Sequence, residues 1–220
     1  MKISAFIIVL LISAASLLGT SCAQSQNADV KIPLGSTKNP SSNEQVADFS
    51  EGCFWHAEIV FQSLVGVRDA VSGYAGGTDT DPDYEKVASG TTGHAETVQV
   101  YYDPSKISYE TLVKAFFASQ DPTTLNRQGN DEGTEYRSIA FYRNDQEKAI
   151  IMAEIKRLTD AKAYPAPIVT QVVPFTHFYK AEGYHQEYIY HNPDNPYVRS
   201  VSIPEWLEFK RTFKGAAFKS

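Results

Sequence analysis

Apolar residues recur with two different periods along the chain, and each period predicts one type of element. Helical spacing predicts helices over residues 54–64, 109–119, 145 to about 163, 181–191 and from 203 onward. Alternation with period two and short β-branched runs predict strands over 45–50, 67–74, 95–102, 137–142, 168–173 and 176–179. Ser108 and Asn144 are the predicted N-caps of the helices that follow them. The order of these elements predicts an α+β fold in a single domain, with helices on a mixed sheet around a split-βαβ (ferredoxin-like) core.

Cys53 lies where the first predicted strand gives way to the first predicted helix. Gly52 precedes it and permits the positive φ that a tight turn can require. A helix N-terminus favours a nearby anion, so we expect a lowered thiol pKa and a nucleophilic role for Cys53. The alternative is a small buried residue with no chemical role, which is a common fate of a free cysteine.

The N-terminal residues have the pattern of a secretory signal. Lys2 is followed by an apolar run and then by small residues, which predicts a signal peptide over 1–21. The cysteine at position 22 directly follows the small residues, so we favour a bacterial lipoprotein in which Cys22 is lipidated. Ordinary cleavage after Ala23 is the alternative. We therefore expect a periplasm-facing cell-envelope lipoprotein, held to the membrane only by its lipid.

The remaining chain divides into a tether and one folded domain. Residues 22–44 are rich in Gln, Ser, Asn, Pro and Lys, which predicts a flexible tether. The folded domain is expected over 45–215. The net charge of −6 and the absence of a basic patch argue against nucleic-acid binding. With two cysteines in the chain, the sequence supports neither a disulfide scaffold nor a four-thiolate zinc site, and we expect no metal.

His94 and Glu96 are the first candidates for partners of Cys53. Strand alternation places both on one face of the strand that begins near residue 95. A Cys53–His94 pair, with Glu96 or an asparagine as its orienting group, would suggest a cysteine hydrolase. The simpler interpretation, which we favour, is that His94 forms a structural hydrogen bond to loop backbone.

Five sequence blocks between about residues 48 and 191 carry a more specific resemblance. They are Gly52-Cys53-Phe54-Trp55 with Glu58, Gly73-Tyr74-x-Gly76-Gly77, Thr92-Gly93-His94-Ala95-Glu96, Gln128-Gly129-x-Asp131-x-Gly133 with Tyr136-Arg137-Ser138, and Ala181-Glu182-x-Tyr184-His185-Gln186. In this order they resemble the peptide methionine sulfoxide reductase A family. Two positions depart from that pattern: His56 stands where glycine is usual, and Gln120 stands where histidine is common.

The resemblance implies a thiol-dependent peptide-methionine (S)-S-oxide reductase that repairs oxidised proteins. Cys53 would attack the sulfoxide sulfur of peptide or free methionine-S-sulfoxide, giving methionine and a cysteine sulfenic acid. Glu96 matches the acid that protonates the sulfoxide oxygen, a role that burial of the carboxyl would support.

The resemblance also implies a substrate pocket. Tyr84 and Tyr136 match the hydroxyl donors to the sulfoxide oxygen, and Asp131 matches a polar residue of the same pocket. Phe54 and Trp55 match the apolar wall that receives the S-methyl group.

No cysteine follows Cys53, although many members of that family carry a resolving cysteine near the C-terminus. We therefore expect the oxidised enzyme to be reduced by an external thiol reductant of the thioredoxin-like kind. We also expect a monomer with no bound cofactor. A lipoprotein that binds methionine sulfoxide without reducing it is the alternative function. The retained residues Cys53, Tyr84, Glu96, Asp131 and Tyr136 favour the enzyme.

Overall fold

The computed structural model describes residues 30–35 and 42–219. The predicted signal peptide, its cysteine and much of the predicted tether lie outside those residues. The strands are β1 (Gln45–Glu51), β2 (Val67–Ala75), β3 (Ala95–Tyr102), β4 (Arg127–Gln128), β5 (Asp131–Glu132), β6 (Ser138–Tyr142), β7 (Gln171–Pro174) and β8 (Phe178–Lys180). The α-helices are α1 (Phe54–Gln62), α2 (Tyr84–Ala88), α3 (Tyr109–Ala118), α4 (Asp145–Asp160), α5 (Tyr188–His191) and α6 (Ile203–Thr212). Short 3₁₀ turns span Thr134–Tyr136 and Gly183–His185, and a π turn spans Val198–Ser202.

Six strands form one mixed sheet in the order β7-β6-β1-β3-β2-β8. Neighbouring strands are antiparallel except β6 and β7, which pair in parallel. Because β1 and β3 lie in the middle, most of their side chains are buried on both faces. The prediction of an α+β fold with a mixed sheet in a single domain is confirmed.

Helix α1 packs across the central strands and carries Cys53 at its start. Phe49 of β1 stacks on Phe61 of α1 at 5.2 Å between ring centroids, and on Phe116 of α3 at 5.1 Å. All three rings are fully buried. Burial of side chains of this size contributes roughly 1.5–3 kcal/mol each, so this aromatic core fixes α1 on the sheet and thereby fixes the position of Cys53.

Two predicted helix bounds are wrong. The predicted helix over 181–191 is interrupted, since Glu187 adopts the left-handed conformation (φ 51°) between a 3₁₀ turn and α5. Helix α4 ends at Asp160, short of residue 163. The predicted N-caps are confirmed, because Ser108 accepts from Thr111 N and Asn144 accepts from Glu147 N.

The end of the chain returns to the far end of α1. Val65 N donates to Ala217 O at 2.9 Å, and Lys219 N donates to Ser63 O at 2.7 Å. Phe218 faces Leu64 in an antiparallel bridge. Over residues 30–35 and 42–219, no helix combines the length and the apolar character needed to cross a membrane.

Candidate active site

Cys53 is the N-cap residue of α1, directly after β1. Gly52 has φ +95°, and a Cβ at that position would lie 2.5 Å from Cβ of Gln128. A side chain at residue 52 would therefore be strained and would collide with the β4 strand. The strand-to-helix turn predicted from the sequence is present, and it places Cys53, a partly exposed residue, on the wall of a cavity.

The expected lowering of the Cys53 pKa is wrong for the substrate-free protein. Burial raises the pKa of Cys53 well above its ordinary value, and the negative charge of Glu96 adds to the rise. Backbone N–H groups of Trp55 and His56 at the start of α1 act in the opposite direction, but their effect is smaller. Cys53 therefore carries its proton at neutral pH.

Glu96 lies on β3 opposite Tyr74 of β2, and its side chain reaches the first turn of α1. Its Oε2 accepts a hydrogen bond from Phe54 N at 2.9 Å, and the residue is 3% exposed. Burial raises the pKa of Glu96 to about 8, and the charge of Asp131 contributes a smaller rise. Glu96 is therefore a neutral carboxylic acid at pH 7, beside the residue that follows Cys53.

Tyr84 and Tyr136 approach the same point from two other elements. Tyr84 begins α2, where its backbone N donates to Oε1 of Glu182 at 3.0 Å. Tyr136 ends the 3₁₀ turn before β6. Burial raises the pKa of both phenols, to about 12 for Tyr84, and the charges of Glu96 and Cys53 contribute in each case. These two hydroxyls, the acid and the thiol therefore share one electrostatic environment.

Phe54 and Trp55 form an aromatic wall with residues that the sequence analysis left without a role. Trp55 stacks on Tyr188 with ring centroids 3.7 Å apart and an interplanar angle of 6°. Its Nε1 donates to Nδ1 of His185 at 3.1 Å, and Phe54 lies 4.9 Å from the same imidazole. His185 belongs to the fifth sequence block, so the sequence could have indicated a role for it in the site. Tyr188 lies outside the five blocks, and only its helical spacing could have been noted.

His94 does not pair with Cys53. Its Nδ1 accepts from Gly77 N at 3.1 Å, and its Nε2 donates to Asp79 O at 2.8 Å. Both ring nitrogens therefore hold the backbone of the loop after β2. The structural interpretation of His94 is confirmed, and the Cys53–His94 hydrolase dyad is wrong.

Tyr197 is a site residue that the sequence motifs missed. Its hydroxyl donates to Oδ2 of Asp131 at 2.5 Å, and the residue lines the same cavity as Cys53. Tyr197 comes from the segment before α6, outside all five sequence blocks. Cys53 and Tyr197 are separated by more than half of the chain, so no local pattern could indicate that they line one cavity.

The cavity beside Cys53 has a volume of about 210 Å³. Its lining includes Glu51, His56, Asp131, Tyr197 and Glu205. Phe54, Trp55, Tyr84, Glu96 and Tyr136 do not line it. Cys53 therefore forms part of the wall of a cavity that is rich in carboxyl groups.

The two departures from the family pattern lie next to each other. His56 contacts Ser119 O through Nε2 at 3.3 Å, directly before Gln120, and both line a groove along α6. Burial lowers the pKa of His56 to about 4, so the ring is neutral. Its Nδ1 lies 3.8 Å from Oε2 of Glu205.

Among the described residues, no group of three or more His, Cys, Asp or Glu side chains is arranged to hold a metal ion.

Comparison with known proteins places the chain in a family. The family model "Peptide methionine sulfoxide reductase" matches residues 45–216. Peptide methionine sulfoxide reductase MsrA 1 of Rhodopirellula baltica is 48% identical over 170 residues, which cover 77% of this chain and 88% of the relative. The MsrA protein of Thermus thermophilus is 44% identical over 171 residues, which cover 78% of this chain and 96% of the relative.

Two solved structures agree with this placement. Reduced Mxr1 from Saccharomyces cerevisiae matches with a TM-score of 0.66 and 32% identity, over 74% of this chain and 93% of that one. Methionine sulfoxide reductase A of Corynebacterium diphtheriae matches with a TM-score of 0.62 and 28% identity, over 75% of this chain and 90% of that one. The fold, the thiol beside a buried carboxylic acid, and these relatives together show that the chain belongs to the peptide methionine sulfoxide reductase family and is an oxidoreductase that reduces methionine sulfoxide.

Proposed function

We propose that this enzyme reduces methionine-S-sulfoxide, in peptides and as the free amino acid, with Cys53 as nucleophile and Glu96 as acid. The observation that carries the proposal is the buried Glu96 carboxyl, which is protonated at neutral pH and hydrogen-bonded to Phe54 N directly after Cys53. A sulfoxide oxygen leaves its sulfur only when protonated, so a neutral acid at this point is the required reagent.

The first half-reaction transfers oxygen from substrate to enzyme. Sγ of Cys53 attacks the sulfoxide sulfur while Glu96 gives its proton to the oxygen. The resulting hydroxyl passes to Sγ, and the proton that the thiol loses restores the Glu96 acid. The cysteine sulfur is oxidised by two electrons to a sulfenic acid, the substrate sulfur is reduced by two electrons, and the thioether leaves as methionine.

The substrate is held by groups on both sides of the reacting sulfur. In this proposal the hydroxyls of Tyr84 and Tyr136 donate to the oxygen as its negative charge grows, which is supported by their electrostatic interactions with Glu96 and Cys53. The aromatic wall of Phe54 and Trp55 suits the S-methyl group, because thioether and sulfoxide sulfur pack well against aromatic rings. Asp131, which lines the same cavity as Cys53, is the further polar contact in this proposal.

The second half-reaction uses external thiols. A first thiol attacks the Cys53 sulfenic acid to give a mixed disulfide and water, and a second thiol releases Cys53 with formation of the external disulfide. Cys53 is the free cysteine of the described residues, and the sequence has no cysteine after it. A thioredoxin-like protein is the proposed donor.

Substitution of Cys53 tests the nucleophile. Purified protein is incubated with each epimer of methionine sulfoxide and dithiothreitol, and methionine is measured. We expect reduction of the S epimer alone, complete loss in Cys53→Ser with unchanged folding, and wild-type activity in the matched variant Cys22→Ala. Binding of the S epimer by the wild type without turnover would support the non-catalytic alternative instead.

The site of action is a separate proposal that rests on the N-terminal sequence. We propose export and lipidation at Cys22, with the domain facing the periplasm. Cells grown with labelled palmitate should label the wild-type chain in the membrane fraction, and Cys22→Ala should remove the label and release the protein. An unlabelled wild-type chain would contradict lipidation.

A further inference from the structure

A short segment outside the family match, residues 31–35, lies against the folded domain. It belongs to the predicted tether, and the family match begins at residue 45. Ile32, Pro33 and Gly35 are partly buried, whereas Leu34 is 39% exposed. The segment therefore has one side packed on the protein and one side open to solvent.

The packed side of the segment meets the aromatic wall of the site. Ile32 and Pro33 line a gap of about 10 Å³ together with Trp55 and with Tyr188, which stacks on Trp55. A gap of this volume holds at most about one water molecule, so these four side chains lie close together. The other residues that line the gap are Glu58, Ile59, Gln62, Glu187, Ile189 and Tyr190.

Gly35 holds the side chain of Glu187, whose backbone is held by Glu58. Gly35 N donates to Glu187 Oε1 at 3.0 Å, while Glu187 N donates to Glu58 Oε1. The backbone of the segment comes close to β2 at this point, because a Cβ at residue 35 would lie 2.3 Å from Oδ1 of Asp69. A side chain there would have to displace the Asp69 carboxyl. Glu187 directly precedes Tyr188, so both hydrogen bonds act at the start of α5.

Helix α5 depends on such contacts because it has only four residues. A single helical turn is not stable in water by its own hydrogen bonds, so its position is set by what it packs against. Trp55 and Tyr188 are each only partly buried, so the core of the domain covers only part of their stack. Residues 31–35 supply a further surface against which the stack is held.

We propose that residues 31–35 form a strap that positions Trp55 for the substrate, through Ile32 and Pro33 beside the stacked rings and through Gly35 on Glu187. The inference deepens the proposed function, in which Trp55 receives the S-methyl group, and it rests on that function. A correctly placed wall favours the bound substrate, whereas the bond-making steps at the thiol follow binding. The strap therefore acts on substrate affinity more than on the rate of the chemical step.

Substrate affinity of full-length variants tests the strap. The Kd for N-acetyl-methionine-S-sulfoxide amide is measured by calorimetry in the Cys53→Ser background, which leaves the substrate unreacted. We expect Ile32→Ser, which removes packing, and Gly35→Pro, which removes the N–H, each to raise the Kd by about 2- to 30-fold, as for residues that act through their neighbours. The matched variant Leu34→Ser, at the exposed position of the same segment, should keep the Kd of the background protein. An unchanged Kd in Ile32→Ser and Gly35→Pro would overturn the strap.

Two further measurements separate positioning from a purely structural role. Urea unfolding of the same variants shows whether stability changes, and a loss of stability without a change in Kd would reduce the segment to a structural one. In a Trp55→Ala background, Ile32→Ser should raise the Kd no further, because the ring that the strap positions is gone. Additive losses there would contradict the proposal. Turnover is measured in proteins that keep Cys53, where Ile32→Ser should raise KM with little change in kcat. A wild-type chain that binds the sulfoxide without turnover would refute the proposed reaction and leave the comparison of Kd values intact.

Discussion

The surroundings of Cys53 and Glu96 favour the neutral form of both groups. For Glu96 this is useful, because an acid has to arrive at the sulfoxide with its proton. For Cys53 it is a barrier, since the attacking form of sulfur lacks the proton. The chemistry therefore depends on moving protons at the moment of attack, and a thiolate stored in advance is not required.

Substitution of Glu96 by glutamine isolates the acid. Glu96→Gln keeps a side-chain oxygen for the Phe54 N–H but has no proton to give, so turnover should fall ~10²–10⁴-fold with a smaller change in substrate affinity. The pKa of Glu96 is raised by burial to about 8, so the carboxyl is protonated below that pH. Wild-type turnover should fall as pH rises through about 8, and this decrease should be absent from the pH profile of the variant. Full turnover in the variant at pH 7 would show that another group supplies the proton.

At the scale of elements, Glu58 joins three parts of the fold that build the site. Its Oε1 accepts from Glu187 N at 2.5 Å, and its Oε2 accepts from the hydroxyl of Ser72 on β2. Glu58 lies one turn after Cys53 on α1 and is 3% exposed. The first of these bonds holds Glu187 in its left-handed conformation directly before Tyr188, so it positions the ring that stacks on Trp55.

Removal of this carboxyl should therefore loosen the wall as well as the fold. Glu58→Ala leaves the partly buried N–H of Glu187 without its acceptor, which should reduce the free energy of unfolding by about 1–3 kcal/mol. Glu58→Gln keeps Oε1 as an acceptor and offers an N–H to Ser72, so a loss of about 1 kcal/mol or less is expected. Urea unfolding of the two variants measures the difference, and equal losses would mean that the hydrogen bonds contribute little.

Elements whose causes are local could be predicted from the sequence. Cys53 at the strand-to-helix turn followed from Gly52 and the change of period, and Ser108 and Asn144 followed from capping chemistry. The helix over 181–191 could not be excluded in this way, because its break at Glu187 depends on a carboxyl 129 positions earlier. Tyr197 could not be predicted either, because the residues beside it in the cavity are distant in the sequence. The raised pKa of Cys53 results from burial in the folded protein, which no local sequence pattern indicates.

At the scale of the whole molecule, the number of cysteines in the folded domain determines how the oxidised enzyme is reduced again. Cys53 is the one cysteine in the described part of the chain. The C-terminal residues are engaged elsewhere, with Phe218 paired to Leu64 at the far end of α1. An internal disulfide has no second thiol in the folded domain, so the oxidised enzyme should persist until an external thiol arrives.

Trapping of the oxidised form tests this expectation. Protein lacking residues 1–22 is treated with methionine-S-sulfoxide and dimedone in the absence of thiol, and its mass is measured. We expect one dimedone per chain, on Cys53, and turnover that rises with the concentration of added thiol. Stoichiometric methionine without any adduct would instead indicate a disulfide between chains or another route of reset.

The position of Trp55, stacked on Tyr188 beside Cys53, should make its fluorescence sensitive to events in the active site. The chain has two tryptophans: Trp55 in the substrate wall, and Trp206, which is 1% exposed with the Lys210 ammonium 4.6 Å from its ring centre. Indole emission depends on the polarity and the quenching groups around the ring. A bound S-methyl group or an oxygen on Cys53 changes those surroundings for Trp55, whereas Trp206 is sealed in the core. The fluorescence of a Trp206→Phe variant would then follow binding, oxidation and reset in real time, without a label.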